Sequence, residues 1–498
     1  MSTGLPPNVS YFMSRLQGVS TSHFKIFPQN SGAQTANKII RFELPSNTLL
    51  HLRNCRLLFN ITTTASDATT QARIFNDTRS IIDRMALYMG GVLVQNSFSN
   101  YNVLVHAKKA VGADRCTDST LTHQEICRTT SYHNGTVFDI GSTAVDARNE
   151  SYTTPEVQLA IVDWESFLGT AEPSIIDTGL FPQITIEITL ADNVIVPAIT
   201  WTASTSLALT NAANTTGIGA TGSGTASYSL DNVTMQVEVL GMASSVLDEV
   251  VAQRISQVGY LSIPFKNYFS FSSSHSNTSR FNVNSASWDR LWVAWRDTNG
   301  ASKSAPVRVA GHKIAGAFTS DAGGSLATQA AGLAGAVATT GQTAFTVTQD
   351  IGKPTYDIGG TYDTNSEKYV SRYFNFTENL LGGQTVSNFQ LQINSANYPA
   401  YKLTVPEVYA LTMNSIDVYD KTRQITLDQY RKNYFINCYR LCLPESDYSR
   451  LSSGIDTRAT SAQCALVTEN LANSTPCFIF AECTSELRVA NRAIEVII

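Results

Sequence analysis

Cys116, His123, Cys127 and His133 crowd into one short stretch of the chain. Thiolate and imidazole are the donors that zinc prefers, and local zinc sites usually present them as closely spaced pairs. The intervals here are irregular, with neither a short Cys pair nor a standard His pair, so zinc is not expected. A second candidate is "GIGATG", whose Gly217, Gly219 and Gly222 match G-x-G-x-x-G. A dinucleotide site needs a strand before these glycines and a helix after them, so that the helix end meets pyrophosphate. Strand-like sequence follows instead, and low complexity surrounds the motif, which reads as a flexible loop. A third, "IIDTG", offers the aspartic-protease triplet Asp177, Thr178 and Gly179. That chemistry needs two carboxylates sharing a proton, and no second such triplet exists in the chain. A dimeric enzyme with one triplet per chain would be a far smaller domain, so a turn between strands is expected. The last, "CYRLC", is not C-x-x-C; Cys438 and Cys442 read as core thiols on one face of a strand. There is no P-loop, no G-x-S-x-G and no H-E-x-x-H, and the seven histidines have no evident carboxylate partner. The expectation is a protein without catalytic, cofactor-binding or metal-binding residues, and not an enzyme.

Composition points the same way. The chain has 498 residues, of which 43% are hydrophobic and 15% charged. That charged share is well below the roughly 25% of ordinary soluble domains. Ser, Thr, Asn, Ala and Gly make up the difference, as suits a surface largely covered by neighbours. The formal net charge is −5, and no Lys/Arg run exceeds two residues. Wrapping nucleic acid takes many cationic contacts to phosphate, so sequence-specific nucleic-acid binding is disfavoured. No apolar run approaches the ~20 residues of a membrane span. The start, "MSTGLPPNVSYF", lacks the charged and apolar regions of a signal peptide. Synthesis in a reducing cytoplasm is therefore expected, with the eight cysteines as thiols rather than a disulfide framework.

The elements that would position any site are mostly strands. "PQITIEITLADNVIV" alternates strictly, with Ile184, Ile186, Ile188 and Leu190 on one face and Thr185, Glu187 and Thr189 on the other. Period two with one apolar face is a half-buried strand. Trp288, Trp292 and Trp295 are spaced as on a helix, but the surrounding aromatic and β-branched residues favour a strand. Residues 1–36 read as an extended N-terminal arm. "SSVLDEVVAQRISQVG", residues 244–259, reads as a linker helix, with Ser245 and Asp248 as an approximate capping box. Two low-complexity inserts, 198–227 and 315–345, read as surface loops with a role of their own.

The chain also repeats itself. "MALYMGGVLVQNSFSNYNVLV" (85–105) and "FQLQINSANYPAYKLTVPEVYALT" (389–412) both predict strand, tight turn, second strand and capped helix, with Thr404 and Glu407 as the second cap. "ITIEITLADNVIV" with "NVTMQVEVL" is expected to correspond to "CFIFAECTSELRVANRAIEVII", a strand pair closing each half. The match is one of order and pattern. The expected fold is all-β: two tandem antiparallel jelly rolls of about eight strands each, with short accessory helices. The expected boundaries are 37–243 and 260–498. Immunoglobulin-like domains, nearer ~100 residues each, are too small.

Two tandem jelly rolls with strand-turn-strand-helix units at 85–105 and 389–412, low charge and no catalytic motif resemble the double jelly-roll major capsid proteins of small eukaryotic DNA viruses, of the polinton-like virus and virophage type. The resemblance spans nearly the whole chain and rests on architecture, with no diagnostic short motif. It implies a homotrimer whose six rolls imitate a hexagonal tile of an icosahedral virion shell. It also implies neighbouring capsomers and minor capsid or penton proteins as partners, and contact of the 1–36 arm with an internal membrane. The rival reading is a viral or surface adhesion protein built from β-sandwiches. A carbohydrate site would want aromatics and carboxylates grouped on loops, and both inserts are nearly bare of them.

Overall fold

The computed structural model describes residues 20–30, 32–65, 70–72, 78–112, 159–196, 198–200, 226–241, 253, 259–296, 314–316, 345–347, 356–358, 361–363, 374, 376, 378, 386–394, 396–416, 426–427, 430–431, 434–443, 454–458, 463–471, 475–490 and 493–498. The linker-helix expectation therefore lies almost wholly outside the described residues, as do most of both inserts.

In the first half the chain forms β1 (Ser20–Ile26), β2 (Ile39–Glu43), β3 (Leu49–Ala65), β4 (Ile82–Met89), β5 (Val92–Phe98), helix α1 (Tyr101–Gly112), β6 (Leu159–Ile161), the single turn α2 (Phe167–Thr170), β7 (Ile184–Leu190) and β8 (Ala226–Gly241). The second half forms β9 (Leu261–His275), β10 (Thr278–Asn282), β11 (Trp288–Trp295), β12 (Ser387–Ile393), β13 (Ala396–Leu403), helix α3 (Val405–Ser415), β14 (Ile436–Arg440), β15 (Gln463–Glu469), β16 (Thr475–Ala490) and β17 (Ala493–Ile497). The first half builds two antiparallel sheets, β1-β8-β3-β6 and β2-β7-β4-β5. The second builds β9-β16-β11-β14 and β10-β15-β12-β13. Adding eight to every strand label of the first set gives the second. Apart from the β4-β5 and β12-β13 hairpins, successive strands alternate between the two sheets in the crossed order of a jelly roll, and the helix follows the same strand in both halves. Ser20–Ile26 lies within the stretch expected to be an arm; it is the counterpart of β9 and pairs with β8 from Ser20↔Gly241 to Ile26↔Met235.

Local chemistry explains the repeated unit. Gly90 and Gly91 adopt φ of 57° and 84°, the left-handed pair that a two-residue hairpin needs to match strand twist. At the other unit, Glu407 Oε2 accepts from the Thr404 backbone N–H and from Thr404 Oγ1, both at 2.7 Å, and Pro406 sits in the first turn. The helix starts where the sequence placed it. Along β7 the four apolar residues are buried and the three alternating polar ones half-buried.

The second expected correspondence is displaced by one strand. The counterpart of β7 is β15, and Thr475–Ala490 is a single strand, the counterpart of β8. "CTSEL" carries turn-type residues, yet its backbone is paired without interruption from Leu261↔Val489 to His275↔Thr475. A continuous ladder outweighs local turn propensity here. The chain turns only after Ala490, and β17 folds back on β16 as an extra strand.

The tryptophan spacing has a physical cause. All eight residues of β11 are buried, and the ladder to β16 slips between Trp288 and Arg290. A bulge adds one residue and flips the alternation. Trp288, Leu291, Val293 and Trp295 thus face the core of the second roll, while Trp292 and Ala294 face the core of the first. Gly454 packs on the bulge; a Cβ there would stand 2.0 Å from the Trp288 carbonyl oxygen.

Candidate functional site

Sheet β9-β16-β11-β14 is covered on both faces. Its inner face packs within the second roll, and Trp292, Ala294, Phe478 and Phe480 on the outer face join the core of the first. The joint is made by the end of β5, by α1 and by the segment 164–172. Phe98 packs on Tyr268 and Phe480, with ring centroids 5.5 and 6.5 Å apart, and Phe167 stands edge-on to Phe265 at 5.1 Å.

Backbone contacts climb this joint in step. Glu172 N donates to Pro264 O at 3.0 Å, Ser166 Oγ to Lys266 O at 3.0 Å, and Ser99 N to Ser270 Oγ at 3.0 Å. Segment 162–183 and the start of β9 are at one end of their rolls; the ends of β5 and β9 are at the other. The two rolls therefore stand side by side and point the same way. In a jelly roll, alternate connections share an end. The four longest, 99–158, 191–225, 296–386 and 404–435, leave from the end at which β3 and β11 finish. The short turns 44–48, 90–91, 283–287 and 394–395 lie at the opposite end, where Ser20 enters, together with the segments 162–183 and 441–462.

Charges gather at the joint, half-buried at Lys108 and Glu165 and buried at Lys266, Asp289, Arg290 and Glu482. Lys108 Nζ lies 2.6 Å from Glu165 Oε2 and donates to Tyr268 Oη at 2.9 Å. Lys266 Nζ lies 2.8 Å from Asp289 Oδ2 and 3.9 Å from Glu482 Oε1, and Arg290 Nη1 is 3.1 Å from Glu482 Oε1. Trp292 Nε1 donates to the other Glu482 oxygen at 2.8 Å. Burial dominates at Asp289 and raises its carboxyl despite Lys266. Burial would raise Glu482 too, but Arg290, Lys108 and Lys266 together outweigh it and hold that carboxyl at about 2. Such a cluster adds little net stability, yet removing one member leaves an uncompensated charge. Its members come from both rolls, Lys108 and Glu165 from the first and Lys266, Asp289, Arg290 and Glu482 from the second. No pattern in the sequence flagged these residues as a group. The signal available was a lone Lys266 in "IPFKNYF" and a lone Glu482 in "CFIFAECT", charges set in apolar strands.

The outer face of the matching first-roll sheet, β1-β8-β3, is polar. It carries His23 and Lys25 on β1, Gln236 and Glu238 on β8, and His51 and Arg56 on β3. β1 is exposed along almost its whole length. Phe24 is 54% and Phe27 72% exposed.

Among the described residues, those singled out in the sequence serve local structure. Asp177 Oδ1 accepts from Gly179 N at 2.8 Å and so caps a turn after the short strand Ile175–Asp177, while Thr178 Oγ1 donates to Thr48 O at 2.9 Å. Cys438 lies on β14, but Cys442 lies two residues past its end; both are buried. Cys55, Cys438, Cys442, Cys464, Cys477 and Cys483 are buried thiols outside any disulfide, and burial pushes the Cys55 thiol up to about 12. Cys116, His123, Cys127, His133 and the Gly217–Gly222 motif lie outside the described residues. Of the inserts, Ala198–Thr200 pairs with Thr70–Ala72, and Ile314–Gly316 pairs with Phe345–Val347. Each insert thus meets a short ladder at the long-connection end. No described helix is long and apolar enough to cross a membrane.

By its strand order the chain is a double jelly-roll protein. No family model matches the sequence, and no curated protein matches it. Among solved structures it is similar to the capsid of PBCV-1, with a TM-score of 0.47 and 12% identity over 97% of each chain. It is similar to the Faustovirus major capsid protein, with a TM-score of 0.47 and 10% identity over 98% of this chain and 95% of that one. It is also similar to the mavirus major capsid protein, with a TM-score of 0.40 and 8% identity over 100% of this chain and 95% of that one. These likenesses stand beside the fold; the repeated strand order is its ground.

Proposed function

We propose that this chain is a major capsid subunit whose homotrimers form pseudo-hexameric tiles of an icosahedral virion shell. One observation carries the reading: the same eight-strand order occurs twice, and the joint between the copies is heterologous. The helix side of the first roll covers the sheet face of the second. The sheet face of the first roll and the helix side of the second are then left over. Repeating a heterologous joint closes a ring or makes a filament, and the resemblance supplies the closure at three chains. Rolls that stand parallel send their four longest connections, 99–158, 191–225, 296–386 and 404–435, to one side, as the outer face of a shell requires.

The reading carries further assignments. Neighbouring trimers and minor capsid or penton proteins are the lateral partners, and the inserts 198–227 and 315–345 are turrets or clasps between subunits. The stretch before β1 runs beneath the shell, where it contacts neighbours or an internal membrane. The protein works in the virion after synthesis in the host cytoplasm, and no catalysis is assigned to it. The test is the mass of the purified protein by light scattering, with negative-stain microscopy of the same sample. A trimer with a hexagonal outline is expected, and a monomer at micromolar concentration overturns the reading.

A further inference from the structure

Asp289 is the extra residue of the β11 bulge. Trp288 pairs with Cys483 and Arg290 with Glu482, so the β16 ladder skips Asp289. A bulge re-aims the side chain it carries, and the Asp289 carboxylate meets Lys266 of β9, which lies beyond β16 in the sheet. The Asp289 backbone carbonyl accepts from Leu441 N at 2.9 Å and from Cys442 N at 3.1 Å, which holds the bulge in place. Lys266 and Asp289 are both buried.

Four groups with complementary chemistry meet there. Lys266 Nζ lies 2.8 Å from Asp289 Oδ2 and donates to Thr484 Oγ1 at 3.2 Å. Thr484 Oγ1 in turn donates to Asp289 Oδ2 at 2.5 Å. Ser287 Oγ donates to Asp289 Oδ1 at 2.7 Å and accepts from Gly454 N at 2.7 Å. A lysine thus touches a carboxyl group whose two oxygens each receive a hydroxyl proton. Burial raises the Asp289 carboxyl, which favours the acid form that an amine can attack.

The first roll lacks this arrangement. On β16, Glu482 lies in register between Tyr268 of β9 and Arg290 of β11. On β8, Glu238 holds the same place, in register between His23 of β1 and His51 of β3. Two residues along, Thr21 and Leu240 pair where Lys266 and Thr484 pair in the second roll. The first-roll ladder also passes from His51↔Glu238 to Leu50↔Val239 without a bulge. The amine, the relay hydroxyl and the bulge occur together in one roll and are missing together from the other.

We propose that Lys266 and Asp289 condense into an intramolecular amide, an isopeptide bond that ties the edge strand β9 to β11 across β16. The ammonium first passes a proton to Oδ2, giving amine and carboxylic acid. The Nζ lone pair then attacks Cγ, and the π pair of the carbonyl moves onto Oδ1, where the Ser287 hydroxyl stabilises it. A second proton leaves Nζ and reaches Oδ2 through the Thr484 hydroxyl. The pair on Oδ1 re-forms the carbonyl, the Cγ–Oδ2 bond breaks, and one water departs. The step balances without an oxidant or a co-reactant. One positive and one negative buried charge disappear together, and with them their desolvation penalty. Holding the two groups in contact supplies the effective concentration that a free amine and acid lack in water. Glu482 keeps Arg290 and Trp292 as partners.

The test is intact mass spectrometry of the denatured full chain, then peptide mapping, with circular dichroism of the native protein to confirm folding. Wild type is expected at its sequence mass less one water. Its peptides around Lys266 and Asp289 should be joined, with no tryptic cleavage after Lys266. K266R, which keeps the cation, is expected at its full sequence mass. T484V keeps the pair and removes the relay, so its linked fraction should grow about a hundredfold more slowly after synthesis. Folded wild type at its full sequence mass overturns the bond. A missing water that persists in K266R, or that maps to other peptides, overturns the site. T484V that links as fast as wild type overturns the relay. These readings do not depend on oligomeric state, so their failure leaves the proposed function standing, and a monomeric chain leaves the bond standing.

Discussion

The first and second rolls have the same strand order and opposite coverings. Sheet β9-β16-β11-β14 is buried on both faces, so its outer positions are Trp292, Ala294, Phe478 and Phe480 with a few fully paired charges. Sheet β1-β8-β3 has its outer face open, so the matching positions are His23, Glu238, His51 and Arg56. Topology leaves these positions free; what lies against each sheet decides what they hold. A strand in a doubly covered sheet reads as a nearly continuous apolar run, and one with an open face alternates.

The sharpest way to break this comparison is to neutralise the two equivalent carboxylates. Glu482→Gln leaves Arg290 and Lys266 without their shared anion inside the joint, and a loss of about 3–5 kcal/mol is expected in urea unfolding. Glu238→Gln, at the open face, should cost under about 1 kcal/mol. Equal losses would mean that the two faces are not in different surroundings.

A second contrast is between histidines. His275 is buried, its ring nitrogens each 2.6 Å from a hydroxyl, those of Ser279 and Thr468. Burial lowers it to about 4. Below pH ~6.5 the unfolded chain takes up a proton that the folded chain refuses. Stability therefore falls from there down to about pH 4, by about 3 kcal/mol in all. The difference between wild type and His275→Gln, followed between pH 7 and 4.5, isolates this loss, because Glu482 titrates lower still. A pH-independent difference would show that His275 takes up its proton equally in the folded and unfolded chain, against the lowering that burial implies.

Gly454→Ala is expected to cost about 2 kcal/mol, because the new Cβ meets the Trp288 carbonyl at the bulge and the bulge must shift. Thermal unfolding that matches wild type would show that the bulge adapts freely. The smallest effect on the fold is expected from deleting 203–224. Thr200 and Ala226, on either side of the cut, pair with Thr70 and Ala65, so a short connection can replace the insert. The melting temperature should hold while trimer stability or particle assembly suffers; unfolding of the monomer would place the insert in the core.

Much of the fold was legible from pattern. The alternation along β7, the Gly90–Gly91 hairpin and the Thr404–Glu407 cap are signals within a few residues, and each element lies where those residues place it. The errors came where a distant partner decides. "CTSEL" breaks a strand by propensity but is held straight by fifteen register partners in β9 and β16. The helical spacing of the tryptophans is a bulge that only the β16 ladder reveals. The joint was illegible for the same reason, since Lys108, Glu165, Lys266 and Glu482 lie far apart in sequence.

Local chemistry along the chain thus settled the kind of element, the tight turns and the fact of duplication, because backbone preferences and two-residue periodicity act over short spans. Only the folded chain decided which sheet is sandwiched between rolls, which charges are sealed and which face is left open. Those follow from contacts between residues hundreds of positions apart, where desolvation and packing outweigh anything a neighbouring residue can signal.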